Sequence, residues 1–420
     1  MRFVYNVMIY LIAAPVALAM HLWRGLRDPS YRERLGERFG LGPAVAGRPI
    51  WIHAVSVGEV QAADPLVRRL LERHPQQAIV LTTVTPTGAA RARQLFGGRV
   101  HHRYVPFDLP GSVRRFFDRV QPRLAMILET ELWPNLYAEC GRREVPLVLA
   151  SARLSPRSVG RYRRLVPLFR QALSHGIVIA AQSEADAARF RSIGAAPERT
   201  HVTGNIKFDF QPPPDIESRG REWRERQVAG RAVWVAGSTH EGEEETVLDA
   251  HRRVLERSGD ALLILVPRHP QRFEAVRELL ARRGEASVSR ASGAAVTADR
   301  QVLLGDTMGE LMMFYAAADV AFVAGSLVPI GGHNLLEPAS LGRPVLTGPH
   351  NFNSEKIAQL LFEAGAARVV ADTAALASEV AKLLADPGRR AAMGAAGRAA
   401  LDANRGAIDR LLALVEPLLD

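Results

Sequence analysis

The sequence is short of several things, and each shortage excludes something. Of 420 residues only Cys140 is a cysteine, so no intrachain disulfide can form and no site built on paired thiolates is available. No H-E-x-x-H segment occurs and no Asp-x-Asp pair, so the usual short signatures of a catalytic metal are missing and none is expected. Lysine stands only at 207, 356 and 382 among 54 basic residues. No basic run carries interleaved aromatics, and no helix-turn-helix or RNA-recognition signature is present, which argues against a nucleic-acid partner. From Phe3 to Trp23 there is no Asp, Glu, Lys or Arg at all.

That last absence is a signal. As a helix the segment would extend about 30 Å, the thickness of a bilayer's hydrocarbon core. Tyr5, Tyr10 and Trp23 suit the two interfaces, and Arg24, Arg27, Arg32, Arg34 and Arg38 follow at once. The positive-inside rule then leaves the bulk of the chain in the cytoplasm. A membrane anchor over 1–23 at a bacterial inner membrane, cytoplasmic face, is the expectation. A cleaved signal peptide, with Ala17-Leu-Ala19 as its cleavage site, and a helix lying in the interface are the rivals. The formal charge of +10 favours anionic partners such as phosphates or an acidic membrane face.

Beyond Pro49, short apolar runs alternate with amphipathic stretches. Strands are expected at 50–55, 78–83, 124–128, 146–150 and 176–180, with helices such as 61–73, 88–96, 112–120 and 184–192 between them. Pro212, Pro213 and Pro214 break the rhythm, because three prolines make a stiff, non-helical connector. The alternation resumes at 232–236, 261–266, 301–304, 320–323 and 344–347, and the Ala/Leu-rich tail from Thr373 reads as helical. Ser287–Thr297 reads as a surface loop. This is an α/β chain of two doubly wound, Rossmann-like domains, 24–210 and 231–420, joined by a linker over 211–230, with the active site expected in the cleft between them.

The most informative stretch is Gly325 to Pro349. A strand runs into a glycine-rich loop, then into a short helix opening near His333 with Glu337 in its first turn. Glycines let backbone N–H groups approach a phosphate, and a carboxylate one turn in can accept ribose hydroxyls. The plainer possibility is that Glu337 only complements the helix dipole. Val266-Pro267-Arg268-His269 and Gly305-Asp-Thr-Met308-Gly309-Glu310 lie at two further strand ends, so three successive strand ends would converge on one pocket.

In the first half, Trp51-Ile-His53-Ala-Val-Ser-Val-Gly-Glu59 delivers an acid to the sheet's carboxyl edge, as a general base or as an ordinary first-turn acid. Glu129-Thr-Glu131-Leu-Trp133 puts two carboxylates at a strand end, as a site or as one capping and one solvated acid. Lys207 in Gly204-Asn-Ile-Lys207-Phe-Asp209 is a rare lysine kept where arginine prevails. Ser151–Ser158 and the arginines up to Arg170 could meet a phosphorylated acceptor or form a solvated face.

Taken together, and with Tyr31–Gly36, Thr82–Gly88 and Gly237–Glu241, these segments resemble the transferases of 3-deoxy-D-manno-oct-2-ulosonic acid (Kdo) in lipopolysaccharide synthesis. The resemblance runs over nearly the whole chain; Ala324 stands where a glycine is expected. It implies a GT-B fold and an inverting transfer from CMP-Kdo to lipid IVA that needs no metal or other cofactor. By that likeness Glu59 is the base, and Glu131 and Lys207 support the transition state. Pro267, Arg268, Met308, Gly309, Glu310, Asn334, Leu335, Leu336 and Glu337 would bind CMP. The alternatives from the residues alone are another GT-B transferase using a UDP- or ADP-sugar, and a non-catalytic sugar-nucleotide-binding protein at the membrane.

Overall fold

The computed structural model describes residues 2–156, 159–160, 176–228 and 230–419. They form two compact units: Met1–Phe210 with Asn404–Asp420, and Gln211–Ala403.

The first unit is built on a parallel seven-stranded sheet, ordered β3-β2-β1-β4-β5-β6-β7. Its strands are β1 (Ile50–His53), β2 (Ile79–Thr83), β3 (His101–Tyr104), β4 (Leu124–Leu128), β5 (Leu147–Ala152), β6 (Val178–Ala181) and β7 (Thr200–Val202). Central strands are apolar without a break because both faces are covered. Ile50, Ile52, Leu124 and Met126 belong to one core cluster, whereas Trp51, Ala125 and Ile127 belong to another. The period of two along each strand thus fills two layers of helices from one sheet. The helix after β2 starts at Thr85, whose hydroxyl accepts the Gly88 N–H at 3.1 Å; the one after β6 starts at Ser183, bonded reciprocally to Asp186.

The second unit repeats the plan in the order β10-β11-β9-β8-β12-β13-β14. These strands are β8 (Val233–Thr239), β9 (Leu262–Pro267), β10 (Ser287–Ser289), β11 (Val302–Leu304), β12 (Val320–Val323), β13 (Val345–Thr347) and β14 (Ala367–Val369). In each sheet the strand order reverses once, between β1 and β4 and between β8 and β12. Those reversals open crevices at the strands' carboxyl ends, where ligands of such sheets bind.

Two boundaries differ from those read in the sequence. Residues 211–230 are mostly not a free linker: the helix Ile216–Val228 belongs to the second unit. Gly220 permits the contact, since a Cβ there would stand 2.5 Å from that of Ala316, and Trp223 packs edge-on against Phe314 at 5.6 Å. The second domain also ends earlier than 420. The last helix, Ala407–Val415, buries Ile408, Leu411, Leu412 and Val415 in the first unit's core beside Ile50 and Ile52. Asp209 caps it, accepting the N–H groups of Gly406 and Ile408 at 2.6 Å each. Ser287–Ser289, expected in a loop, is a strand. Of the basic stretch around Ser151–Arg170, residues 157–158 and 161–170 lie outside the described residues.

The amino-terminal segment forms a helix over Arg2–Arg27, long and apolar enough to cross a membrane. A π turn, Ile9–Ala13, interrupts it.

Candidate active site

In the first unit, Glu59 lies in the first turn of the helix Val57–Arg73, directly after β1. Its Oε2 accepts the Val55 N–H at 2.8 Å, so the carboxylate folds back over the strand end. Glu129 follows β4, across the sheet reversal, and takes a left-handed backbone conformation, φ 57°. That conformation costs a non-glycine residue about 1 kcal/mol or more and is concentrated at functional sites. Lys207 Nζ reaches Glu129 Oε1 at 2.6 Å. Burial, with the charge of Glu129 next, pushes the Glu59 carboxyl up to about 8. Burial and Glu129 also raise Glu131, whose backbone carbonyl accepts the Tyr137 O–H at 2.5 Å.

Lys207 is fixed from three sides. Asn205 Oδ1 accepts its N–H at 3.0 Å, Ser151 Oγ accepts the Ile206 N–H at 3.4 Å, and Asp209 is tied to the last helix. Ser151 is itself left-handed, φ 51°, at the irregularity where β5 slips against β6. The structure brings Glu131, Lys207 and Glu129, the acid the sequence pairs with Glu131 at the strand end, into the surroundings of Glu59. It is Glu129, not Glu131, that holds the ammonium. His53 is a core histidine: it bonds Thr82 Oγ1 at 2.8 Å, and burial lowers it to about 4.

In the second unit the expected residues follow three strands, β9, β11 and β12. Pro267 ends β9, and the Arg268 N–H is bonded to Thr239 O at 3.0 Å. Met308 is 62% exposed, Gly309 is left-handed, and Glu310 is held by Arg290 at 2.7 and 3.0 Å. Just before the short helix Leu336–Ser340, Asn334 Oδ1 accepts the Leu336 N–H at 3.2 Å and Asn334 Nδ2 donates to Glu337 at 3.3 Å. Leu335 and Leu336 have buried side chains, so only their backbone can meet a ligand. The strand ends are not spatially successive: β8 stands between β9 and β12, and its loop occupies the middle of the group.

That loop corrects the reading of the glycine-rich segment. Glu243, fully buried, accepts the N–H groups of Gly325 at 2.7 Å and of Ser326 and Leu327 at 2.9 Å, and also that of His240 at 3.1 Å. The start of the loop is an anion-binding nest already filled by the chain's own carboxylate. The amides of Gly325, Ser326 and Leu327 are thus already engaged. His240 and His333 meet at 2.8 Å between Nε2 atoms above Gly325, where a Cβ would stand 2.8 Å from the His333 ring. Nothing local in the sequence marks Glu243; only the order β9-β8-β12 brings it to the loop. Among the described residues no three His, Cys, Asp or Glu side chains cluster as metal ligands would.

Comparison with known proteins decides the family. The family model for 3-deoxy-D-manno-octulosonic-acid transferase matches residues 33–210. A 3-deoxy-D-manno-octulosonic acid transferase of Haemophilus influenzae is 43% identical, over 100% of this chain and 99% of its own length. The chain belongs to the Kdo transferase family. The enzyme of the same name from Bordetella pertussis is 40% identical, over 92% of this chain and 91% of that one. Kdo transferases are glycosyltransferases of lipopolysaccharide biosynthesis, and so is this chain.

Solved structures agree on the fold. The Anabaena protein Alr3699/HepE in complex with UDP is 16% identical, with a TM-score of 0.56, over 88% of this chain and 99% of that one. UDP-GlcNAc 2-epimerase from Neisseria meningitidis is 14% identical, with a TM-score of 0.56, over 87% of this chain and 100% of that one. Two parallel-sheet α/β units of the GT-B kind are common to all three.

Proposed function

We propose that this Kdo transferase moves Kdo from CMP-Kdo to lipid IVA, with inversion and without a metal, at the cytoplasmic face of the inner membrane. The observation that carries the reading is Glu59: a carboxyl raised to about 8 at the first sheet's reversal, beside the Glu129–Lys207 pair. A base of that strength is matched to a sugar hydroxyl far better than an ordinary carboxylate. The acceptor hydroxyl oxygen attacks the anomeric carbon of Kdo from the face opposite CMP, and its proton passes to Glu59. The bond from that carbon to the phosphate oxygen breaks, and CMP leaves with the electron pair. Lys207, held by Glu129, offers a compact positive charge to the carboxylate-bearing sugar as the transition state forms. Arg268 and the amides around Asn334 meet the charge developing on CMP, and Glu337 accepts ribose hydroxyls.

Incubation of the purified protein with CMP-Kdo and lipid IVA, read by mass spectrometry, tests the transfer; an unmodified lipid IVA overturns it. Calorimetry separates the nucleotides: CMP should bind and UDP and ADP should not. Glu337→Gln and Arg268→Ala should each weaken CMP by roughly 1–3 kcal/mol. A preference for UDP or ADP would favour the other GT-B reading, and unchanged CMP affinity in both variants would move the nucleotide elsewhere.

A further inference from the structure

The helix Arg2–Arg27 is held to the first unit near both of its ends. Tyr5, Ile9, Ala14, Leu18 and His21, with Asn6 and Ala17 beside them, are partly covered and Gly25 is buried, while the other residues between them are exposed. Successive steps are four, five, four, three and four residues. An α-helix keeps one face with steps of three and four, and the single step of five coincides with the π turn Ile9–Ala13. The extra residue of that turn keeps the covered stripe in line across Pro15.

Both ends of the helix are fastened to neighbouring parts of the same unit. At the start, the Tyr5 O–H donates to Asp108 Oδ2 at 2.7 Å, Asn135 Nδ2 donates to Asn6 Oδ1 at 2.7 Å, and Arg2 Nε donates to Asn135 Oδ1 at 3.2 Å. At the far end, Arg32 Nε donates to Gly25 O at 2.7 Å, and the His21 ring packs edge-on against Phe107 at 5.9 Å. From Tyr5 to Gly25 is about 30 Å along the axis, as much as the hydrocarbon core is thick. A helix standing across that core would carry the Tyr5 end to the opposite side. Asp108, only 2% exposed and bonded also to the Asn135 and Leu136 N–H groups, would have to go with it.

The face turned away from the unit is apolar throughout. Phe3 is 80%, Leu11 72% and Leu26 73% exposed. It ends in charge: Arg27 stacks on Trp23 at 4.7 Å, with Arg24 beside it, the pairing of aromatic and cation that suits an anionic headgroup layer.

We propose that this helix lies in the plane of the membrane, fastened to the first unit at both ends, and presents its outer face to the acyl chains and Arg24 and Arg27 to anionic lipid headgroups. The proposal rests on the membrane location given above and replaces a crossing helix by an embedded one. It also has a catalytic consequence. Asn135, which holds the start of the helix, lies four residues after Glu131. The strap thus brings the lipid surface to the loop that carries Glu129 and Glu131, where a lipid-borne hydroxyl would have to arrive.

Cys140, the single cysteine, is buried, so labels can be placed cleanly on a Cys140→Ala background. Spin labels at Phe3→Cys, Leu11→Cys and Leu26→Cys, in full-length protein on phosphatidylethanolamine/phosphatidylglycerol vesicles, report depth through oxygen and nickel-chelate accessibility. The expected result is one common depth, about 5–10 Å below the headgroups. Leu11 near the bilayer centre with Phe3 and Leu26 at opposite interfaces, roughly 34 Å apart, would overturn the proposal while leaving membrane attachment intact. Three labels that all report water would overturn both. Arg24→Gln with Arg27→Gln should weaken sedimentation with these vesicles by roughly 10- to 30-fold and leave binding to phosphatidylcholine vesicles unchanged; an equal loss on both would remove the headgroup contact from the proposal.

Discussion

Glu59 sits where a carboxyl ionises reluctantly, and this gives it two measurable consequences of opposite sign. In the role of base proposed for it, it must be deprotonated, so kcat/KM should rise with pH along a limb near 8, the value to which burial and Glu129 push it. As part of the fold it is best protonated. Its pKa is raised from 4.5, so its contribution to stability is full below pH 4.5 and is lost as pH climbs through about 8. Glu59→Gln should therefore lower turnover by about 10²–10⁴ yet gain on the wild type in unfolding free energy, read by denaturant titration between pH 5 and pH 9, by at most about 5 kcal/mol. Near-wild-type turnover in a folded Glu59→Gln protein would transfer the role of base to Glu131. This residue was legible in the sequence because an acid in the first turn after a strand can only lie at the carboxyl edge. The choice between Glu129 and Glu131 was not. It depends on the left-handed turn at Glu129, which an i, i+2 spacing does not disclose.

Elements were legible in proportion to their burial. The ten interior strands appear as apolar runs, and the structure has them all. The four that do not, β3, β7, β10 and β14, are the four sheet edges. An edge strand is short and half covered, so His101-His-Arg-Tyr or Ser287-Val-Ser carries no continuous apolar signal. The β8–β12 connection was hidden for a different reason: Glu243 and the amides it binds are 82 to 84 residues apart. That contact makes an element-scale prediction. Glu243→Gln replaces a four-N–H acceptor by an amide whose NH₂ confronts donors, at a cost on the order of 3 kcal/mol. Hydrogen exchange at Gly325, Ser326 and Leu327 should accelerate, and CMP affinity should fall with it. Unchanged exchange at those three amides would show that the loop is held by something else.

At the scale of the whole molecule, the two units are unequal as pieces of chain. The second is one continuous stretch, Gln211–Ala403; the first needs Asn404–Asp420 in addition. A fragment of residues 211–403 should fold and melt cooperatively by itself. A chain stopped at Ala403 should not keep its first unit. It loses Leu411, Leu412 and Val415, each fully buried, at about 1.5–3 kcal/mol apiece, together with the cap on Asp209 that steadies the Lys207 loop. Calorimetry should then show the second transition unaltered and the first lowered or absent; two unshifted transitions would mean that the last helix only decorates the surface.

The return of the chain to its first unit also fixes an order of events in time. Synthesis runs from the amino end, and domains close as they emerge. The apolar helix is made before the rest of the first unit, yet that unit's core is complete only when the last helix has left the ribosome, after the whole second unit has been made. For nearly the length of its own translation the protein therefore offers a greasy helix on an unfinished base. Early contact with the bilayer is the natural shelter for such a helix, so the membrane would be a participant in assembly as well as the place of work.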